Sequence, residues 1–325
     1  NSFFMSRGVS CEFIPIRNSS FNIFHDIRTF LTLIKLYKKY KVSEIMAYTI
    51  KPVLWCGLSS RFLNINYYAL ITGLGYSFYG DSLKRRALTK LVIFLYKAAL
   101  KNSTYVFFQN KDNQDVFLKM GIIPRSKACI VNGSGVNIKE FDIVELPKKG
   151  FRFLCISRLL GEKGLREYAA AARIVKNKFP NVEFDLVGSE DLSPDAISLS
   201  EVRNWSDYIS YKGSTGDVRP YIKNSHVYVL PSYHEGLPRS TLEAMSMGRP
   251  ILTTDTVGCK DTVENGVNGF KVQVKSVDEL SKKMIWFIEH SDQINKMGLE
   301  SRKMVEDKFD VHKVNKEMLK IMDIK

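Results

Sequence analysis

Val227-Tyr228-Val229-Leu230-Pro231-Ser232-Tyr233-His234-Glu235-Gly236-Leu237-Pro238-Arg239-Ser240-Thr241-Leu242-Glu243 reads as an apolar strand, a loop punctuated by Gly236 and Pro238, and a helix beginning near Pro238. Short apolar runs alternate with longer helical patterns along the rest of the chain too, the signature of βα repeats and parallel sheets. Glu235 falls in the loop and Glu243 about a turn and a half into the helix, which puts both carboxylates at one strand-to-helix crevice. Open α/β sheets bind ligands at the C-terminal ends of their strands, and a carboxylate pair there accepts hydrogen bonds from sugar or ribose hydroxyls. Taken alone, the two glutamates fit equally well a helix-terminal acid favoured by the helix dipole and a solvated loop acid.

A second half-site stands upstream. In Phe151-Arg152-Phe153-Leu154-Cys155-Ile156-Ser157-Arg158-Leu159-Leu160-Gly161-Glu162-Lys163-Gly164 an apolar strand ends in a polar turn carrying Arg158 and Lys163, and a helix follows. Cations beside a helix N-terminus suit a diphosphate. A guanidinium clamps phosphate oxygens in pairs and an ammonium adds a compact charge, so the two can meet a nucleoside-diphosphate leaving group without a metal. Ordinary solvated charges are the alternative for either residue alone; two such motifs at strand ends of one α/β unit favour a site.

Working outward, strands are expected near Cys11–Ile14, Glu44–Tyr48, Tyr67–Ile71, Tyr105–Phe108 and Ala128–Val131, then near Phe151–Ile156, Glu183–Val187, Tyr208–Tyr211, Val227–Leu230 and Ile251–Thr254. Helices fill the gaps, among them Leu165–Lys178 and Asp217–Lys223. The polar, Pro/Gly-punctuated stretch Phe141–Gly150 reads as the linker, dividing the chain into residues 1–145 and 146–325, two doubly wound α/β domains with a cleft between them.

With 325 residues, 45% apolar and 25% charged, the chain is long enough for two full cores. Its five cysteines, Cys11, Cys56, Cys129, Cys155 and Cys259, are odd in number and lack Cys-x-x-Cys spacing, which argues for a reducing compartment and against a disulfide framework or zinc site. The five histidines show no helical pairing with an acid as in a metalloprotease. Apolar runs such as Leu91–Leu95 are far shorter than the roughly 20 residues that span a bilayer, and the start does not read as a signal peptide. The absence of an initiating methionine suggests a fragment.

Charge is uneven. Residues 1–145 hold 20 Lys+Arg against 9 Asp+Glu, a net of +11, leaving 28 against 25, or +3, for residues 146–325. Arg28, Lys35, Lys38, Lys39 and Lys41, and again Lys84, Arg85, Arg86 and Lys90, recur at helical spacing with apolar residues between them. Such helices lie on anionic membrane surfaces, or else present a solvated face. No nucleic-acid-binding pattern accompanies the charge.

Arg158…Lys163, Pro231–Pro238, Glu243-Ala244-Met245-Ser246-Met247-Gly248-Arg249-Pro250 and Gly258-Cys259…Asn265-Gly266-Val267-Asn268-Gly269-Phe270 together resemble a GT-B glycosyltransferase of family 4, over nearly the entire chain. Tyr48-Thr49-Ile50-Lys51-Pro52, Thr72-Gly73-Leu74-Gly75-Tyr76 and Asn132-Gly133-Ser134-Gly135-Val136-Asn137 resemble, within it, bacterial enzymes that build O-antigen, capsule or N-glycan precursors on undecaprenyl diphosphate. The resemblance implies retention of anomeric configuration. It gives residues 146–325 the UDP-sugar donor and residues 1–145 the lipid-linked saccharide acceptor, with a last helix packing back toward the N-terminal domain. Arg158 and Lys163 would hold the diphosphate, Glu243 the ribose hydroxyls and Glu235 the donor sugar hydroxyls, with the amides of Gly236 and Leu237 adding phosphate or sugar contacts. The catalytic set would be Glu235, Arg158 and Lys163. No cofactor and no metal would be needed, there being no Asp-x-Asp triplet; Glu183-Phe184-Asp185 lies inside an expected strand. The protein would work as a peripheral protein on the inner face of the cytoplasmic membrane, without nucleic acid. A GDP-sugar donor, a soluble acceptor, or a non-catalytic sugar-nucleotide-binding subunit are the alternatives.

The chain departs from that family at three points. Many members carry a histidine before the loop held here by Thr72-Gly73 and another near Tyr48, and this chain has neither. His234 stands where arginine is common, and a lone loop histidine is more often a polar surface residue than a catalytic one. Two opening βα units of the family have no counterpart, about 50–60 residues at roughly 30 per βαβ unit.

Overall fold

Strand Phe151–Ile156 sits at the centre of the larger of two sheets, and its neighbours explain its composition. Phe153 and Cys155 face one core with Phe184, Leu186, Val227 and Val229, while Leu154 and Ile156 face another with Tyr228, Leu230 and Ile251. A strand buried on both faces has no polar alternation to show, so it reads as a continuous apolar run. The computed structural model describes residues 2–16, 23–74 and 83–324, with Ser2, Phe3, Ile23, Leu83, Lys84 and Arg85 as backbone only.

Packing divides the chain into one unit of Asn1–Phe108 and Gln114–Cys129 and a second of Gln109–Asn113 and Ile130–Lys325. The division expected at residue 145 thus falls inside the second unit, because Val136 and Phe141 are buried in its core.

The first unit contains α1 (Ser2–Met5), α2 (Ile23–Lys39), β1 (Glu44–Tyr48), α3 (Ile50–Leu63), β2 (Asn66–Ile71), α4 (Leu83–Leu100), β3 (Tyr105–Phe108), α5 (Lys111–Lys119) and β4 (Ala128–Ile130). The first residues of α5 and the last of β4 cluster with the second unit. The sheet order is β1-β2-β3-β4, with β1 and β3 both parallel to β2. Its core joins Val53 and Leu54 of α3, Val92 and Tyr96 of α4, and Tyr67, Ala69, Val106 and Phe108 of the strands. The Lys51 ammonium and Asp26 carboxylate, both buried, meet at 3.3 Å and tie α3 to α2. Thr49, at the β1-to-α3 turn, has φ of 69° and ψ of 160°, a region that strains a β-branched residue. Cys11–Ile14 forms no strand: its apolar pattern finds no ladder partner among the described residues. Gly75 and Tyr76, quoted from the sequence above, lie outside the described residues, as do the side chains of Lys84 and Arg85.

The second unit runs β5 (Phe151–Ile156), α6 (Leu165–Lys178), β6 (Val182–Val187), α7 (Leu199–Arg203), β7 (Ser210–Tyr211), α8 (Arg219–Lys223), β8 (Val227–Leu230), α9 (Arg239–Ser246), β9 (Ile251–Thr254), β10 (Gly269–Val272), α10 (Val277–Glu289), α11 (Ile294–Met304) and α12 (Val311–Met322). All six strands are parallel, in the order β10-β9-β8-β5-β6-β7. Helices α6 and α10 cover one face and α9 the other, so the sheet is doubly wound. Glu183 and Asp185 lie in β6 and pair with Arg152, Asp185 also with Lys212, and thus belong to the scaffold. Arg249 is fully buried and, among the described residues, has no carboxylate partner. Its guanidinium donates instead to the carbonyls of Val144, Glu145, Ile222, Lys223, Met247 and Gly248, and burial pushes its pKa down to about 10.

Candidate active site

From β5 the chain steps outward through β6 and β7, then returns to β8 on the other side of β5. The strand order reverses between β5 and β8, and a crevice opens at their C-terminal ends, the topological switch point where such sheets bind ligands. Ser157–Gly164 leaves β5 there and Pro231–Pro238 leaves β8. Both sequence-derived motifs therefore meet at one place.

The two loops are tied to each other directly. The Tyr233 amide and the Ser232 hydroxyl both donate to the Glu162 carbonyl, at 2.8 and 3.2 Å. Gly164 has φ of +69°, and a Cβ there would overlap the Pro231 carbonyl, so no other residue fits without moving one loop. Across this junction the Lys163 ammonium lies 2.7 Å from Glu235 Oε1, with the two side chains only 12% and 17% exposed. An ammonium has three N–H donors and a carboxylate several lone pairs. The pair therefore keeps donors for a diphosphate on one side and acceptors for sugar hydroxyls on the other.

Arg158 stands apart from Lys163 in its pairing. Its guanidinium is 2.5 Å from Asp191 and largely exposed. Burial pushes the Asp191 carboxyl up, but the bonds from Ser193 and the Arg158 charge outweigh it and hold the carboxyl below its ordinary range. The turn carrying Lys163 is fixed by Asp195, which accepts from the Glu162 amide at 2.6 Å through its carboxylate and from the Gly161 amide at 2.9 Å through its carbonyl. Helix α6 begins after its N-cap Gly164 with no side-chain cap, so its first amides are left uncapped at the end of the β5 loop.

Glu243 lies in α9, which starts after Pro238, and is 7% exposed. Burial raises its carboxyl pKa, opposed by Arg239 at 2.9 Å. The buried phenol of Tyr228 donates to Ser240 Oγ at 2.6 Å. The two carboxylates follow the same strand, β8, and have separate cationic partners, Lys163 for Glu235 and Arg239 for Glu243. The amides of Gly236 and Leu237 have no protein acceptor among the described residues, whereas the Gly236 carbonyl accepts from Asn110 Nδ2 at 2.6 Å and Leu237 is a core side chain.

Sequence reasoning missed Asp191, Asp195, Glu167 and Asn110. Asp191 follows the C-terminal end of β6, so the strand-end logic that found Arg158 reaches it as well. Glu167 accepts from the Tyr233 hydroxyl at 2.7 Å, a pairing across loops that nothing in the sequence spacing signals. His234 is half-buried rather than a surface residue; burial lowers its pKa, Glu235 raises it and Lys163 lowers it. Among the described residues no three His, Cys, Asp or Glu side chains come together as a metal site.

An ammonium, a guanidinium and uncapped helix amides suit a phosphorylated ligand, and two carboxylates beside them suit its hydroxyls. Comparison with known proteins gives the family. Residues 136–304, just over half the chain, match the family model Glycosyl transferases group 1, and residues 5–110 match Glycosyl transferase 4-like. The chain is 31% identical over 286 residues to the N,N'-diacetylbacillosaminyl-diphospho-undecaprenol alpha-1,3-N-acetylgalactosaminyltransferase of Campylobacter jejuni, covering 83% of this chain and 74% of that one. It is 23% identical over 296 residues to the UDP-Gal:alpha-D-GlcNAc-diphosphoundecaprenol alpha-1,3-galactosyltransferase of Escherichia coli, covering 87% and 76%. Among solved structures, Anabaena HepE in complex with UDP-glucose superposes with a TM-score of 0.79 at 16% identity, over 99% of this chain and 88% of that one. The two parallel sheets are those of the GT-B architecture, and the chain belongs to the group 1, or family 4, glycosyltransferases.

Proposed function

We propose that this glycosyltransferase moves a hexose or N-acetylhexosamine, with retention of configuration, from a UDP-sugar to a polyprenyl-diphosphate-linked saccharide in the assembly of a surface polysaccharide. The observation that carries the reading is the Lys163–Glu235 pair at the switch point, with Arg158 on the same loop as Lys163 and the buried Glu243 on the helix that follows the Glu235 loop. In this assignment Glu243 accepts from the ribose hydroxyls, Glu235 from the donor sugar, and the amides of Gly236 and Leu237 add contacts. As the bond from the anomeric carbon to the diphosphate oxygen breaks, negative charge grows on the diphosphate, where Lys163 and Arg158 stabilise it. The acceptor oxygen bonds to the anomeric carbon and its proton leaves with the diphosphate. No divalent ion is required by this scheme, since the two cations occupy its electrostatic role. The Campylobacter and Escherichia relatives named for undecaprenyl-diphosphate-linked acceptors, and the HepE complex with UDP-glucose, support the acceptor and donor classes.

The reading places the enzyme on the anionic inner face of the cytoplasmic membrane. Among the described residues no helix is long and apolar enough to cross a membrane. Exposed Ile27 of α2 and Phe62 of α3, with Arg61, line an apolar cavity of about 600 Å³, and exposed Phe24 and Arg28 belong to α2 as well. Apolar side chains ringed by cations suit a headgroup boundary. Incubating the protein with a panel of UDP- and GDP-sugars and undecaprenyl-diphosphate saccharides, with product mass and released nucleotide both measured, tests the whole reading. UDP release matched one-to-one by a heavier lipid-linked product, in EDTA, is expected. Turnover only with a GDP-sugar, only on a soluble acceptor, or only after a metal is restored would overturn the corresponding part.

A further inference from the structure

Glu235 sits on a loop, and a loop carboxylate is only as well aimed as its backbone is held. Three elements hold that backbone. The Glu235 amide donates to the Val257 carbonyl at 3.0 Å. Gly258, at φ of +78°, lies so close that a Cβ there would overlap the carbonyls of both Glu235 and Gly236. The third contact comes from far along the chain: the side-chain amide of Asn110, 3% exposed, donates to the Gly236 carbonyl at 2.6 Å, while its Oδ1 accepts from the Asn113 amide at 2.8 Å. Asn110 belongs to Gln109–Asn113, which packs as part of the second unit although its sequence neighbours do not. That segment is itself anchored, Gln109 to Ser134 at 3.0 Å and Asp112 to Lys260 at 2.9 Å, the latter two residues from Gly258.

We propose that Asn110 is a positioning residue for the donor sugar: through the Gly236 carbonyl it fixes the Gly236–Leu237 peptide that follows Glu235, and with it the loop path that aims the Glu235 carboxylate, and so governs recognition of the sugar without touching the nucleotide. The geometry supports a division of labour. Glu243 and Arg158 hang from α9 and the β5 loop and have no hydrogen bond to Asn110. Glu235 directly precedes the residue whose carbonyl Asn110 holds. Both polar atoms of the Asn110 side chain are used, in one direction each, so the residue is specified as an amide. Aspartate there keeps the acceptor for Asn113 and turns the donor into a second acceptor facing a carbonyl, which breaks the Gly236 bond while preserving shape.

The inference rests on the reading that Glu235 contacts the donor sugar, and the experiment separates the two. Calorimetry on the full chain measures affinity for UDP and for UDP-galactose, UDP-N-acetylgalactosamine and their gluco counterparts, alongside kcat and KM for whichever donor turns over. Asn110→Asp is expected to bind UDP within about twofold of the parent, to lose the extra affinity for the UDP-sugar as Glu235→Ala does, and to lower kcat about tenfold or more. Combined with Glu235→Ala it should add nothing further, since residues acting through one group are not additive. If Asn110→Asp does not fold, Asn110→Ala, which removes the donor without adding a charge, carries the same expectation. Equal losses for UDP and UDP-sugar mark a merely structural residue and overturn the proposal. A lowered sugar preference in Glu235→Ala but not in the Asn110 variants overturns the positioning role alone, whereas an unchanged preference in Glu235→Ala overturns the Glu235 reading and this route with it.

Discussion

Lys163→Met keeps the length of the side chain and removes the ammonium that lies 2.7 Å from Glu235. Breaking a fully buried pair by removing one partner costs about 3–5 kcal/mol; with 12% and 17% of the side chains still exposed, about 2 kcal/mol of stability should be lost. The ligand suffers twice. Loss of one charged hydrogen bond to a diphosphate costs about 1.5–3 kcal/mol, roughly 10- to 150-fold in Kd, and the stranded Glu235 carboxylate then repels the incoming anion. The second effect predicts an unusual rescue: Lys163→Met/Glu235→Gln should bind UDP roughly tenfold more tightly than Lys163→Met and recover about half of the lost stability. Titration calorimetry with UDP at low ionic strength, beside thermal unfolding of the parent, Lys163→Met and the double variant, measures both terms. A double variant no better than Lys163→Met in either measurement would refute the argument that the two side chains form one charge-compensated unit in the nucleotide crevice.

Three further outcomes follow from other parts of the molecule. Glu243→Ala and Arg158→Ala should each weaken UDP by about 1–3 kcal/mol, read by the same calorimetry; unchanged affinity in both would remove them from the nucleotide site. His226 accepts from the Arg152 amide and donates to the Pro147 carbonyl, each at 3.1 Å, and stacks on Phe151, with burial lowering its pKa below 6.5 against the Pro147 bond. Because the unfolded imidazole takes up a proton first, this part of the stability is complete above pH about 6.5 and is lost as pH falls through the lowered folded value; thermal midpoints between pH 7.5 and 5 should fall less steeply in His226→Gln, and equal slopes would exclude the assignment. Replacing Lys84, Arg85 and Arg86 with glutamine should weaken co-sedimentation with anionic vesicles about a hundredfold at roughly 1 kcal/mol per interfacial cation, with high salt weakening the parent too; equal binding to neutral vesicles would leave these charges as a solvated face.

How far the sequence carried this picture differs by element. Strands buried on both faces, such as Phe151–Ile156, Val227–Leu230 and Ile251–Thr254, were found at the expected residues, because an unbroken apolar run bounded by turn residues leaves few alternatives. The Leu165–Lys178 helix coincides with its expectation for the corresponding reason, a strong apolar face at helical period. Cys11–Ile14 has the pattern of a strand without a neighbour to pair with, and Gly269–Val272 the reverse: a four-residue strand opening on glycine, legible only from its pairing with Ile251–Thr254. The Phe141–Gly150 linker looked like a boundary from its polarity, yet Val136 before it and Phe141 at its start already belong to the second core. At the site, the residues that touch a ligand in this reading sit beside strand ends and could be located by position. Those that hold them, Asn110, Asp195 and Glu167, act across 33 to 126 positions of sequence, where spacing carries no signal.

The junction of Gly164 with the Pro231 carbonyl has a consequence for engineering and for descent. Loops that bind different sugars look like exchangeable cassettes, to be cut at strand ends and traded between relatives. Here the two cassettes interlock where Gly164 meets the Pro231 carbonyl, and the Glu162 carbonyl of one accepts from the Tyr233 amide and the Ser232 hydroxyl of the other. A graft of Pro231–Pro238 alone from another enzyme would have to reproduce the path of its Pro231 peptide to clear the recipient's Gly164. Exchange of donor preference should therefore succeed when residues 157–164 and 231–238 travel together, and recombination between relatives should preserve them as a pair although some 70 residues of sequence intervene.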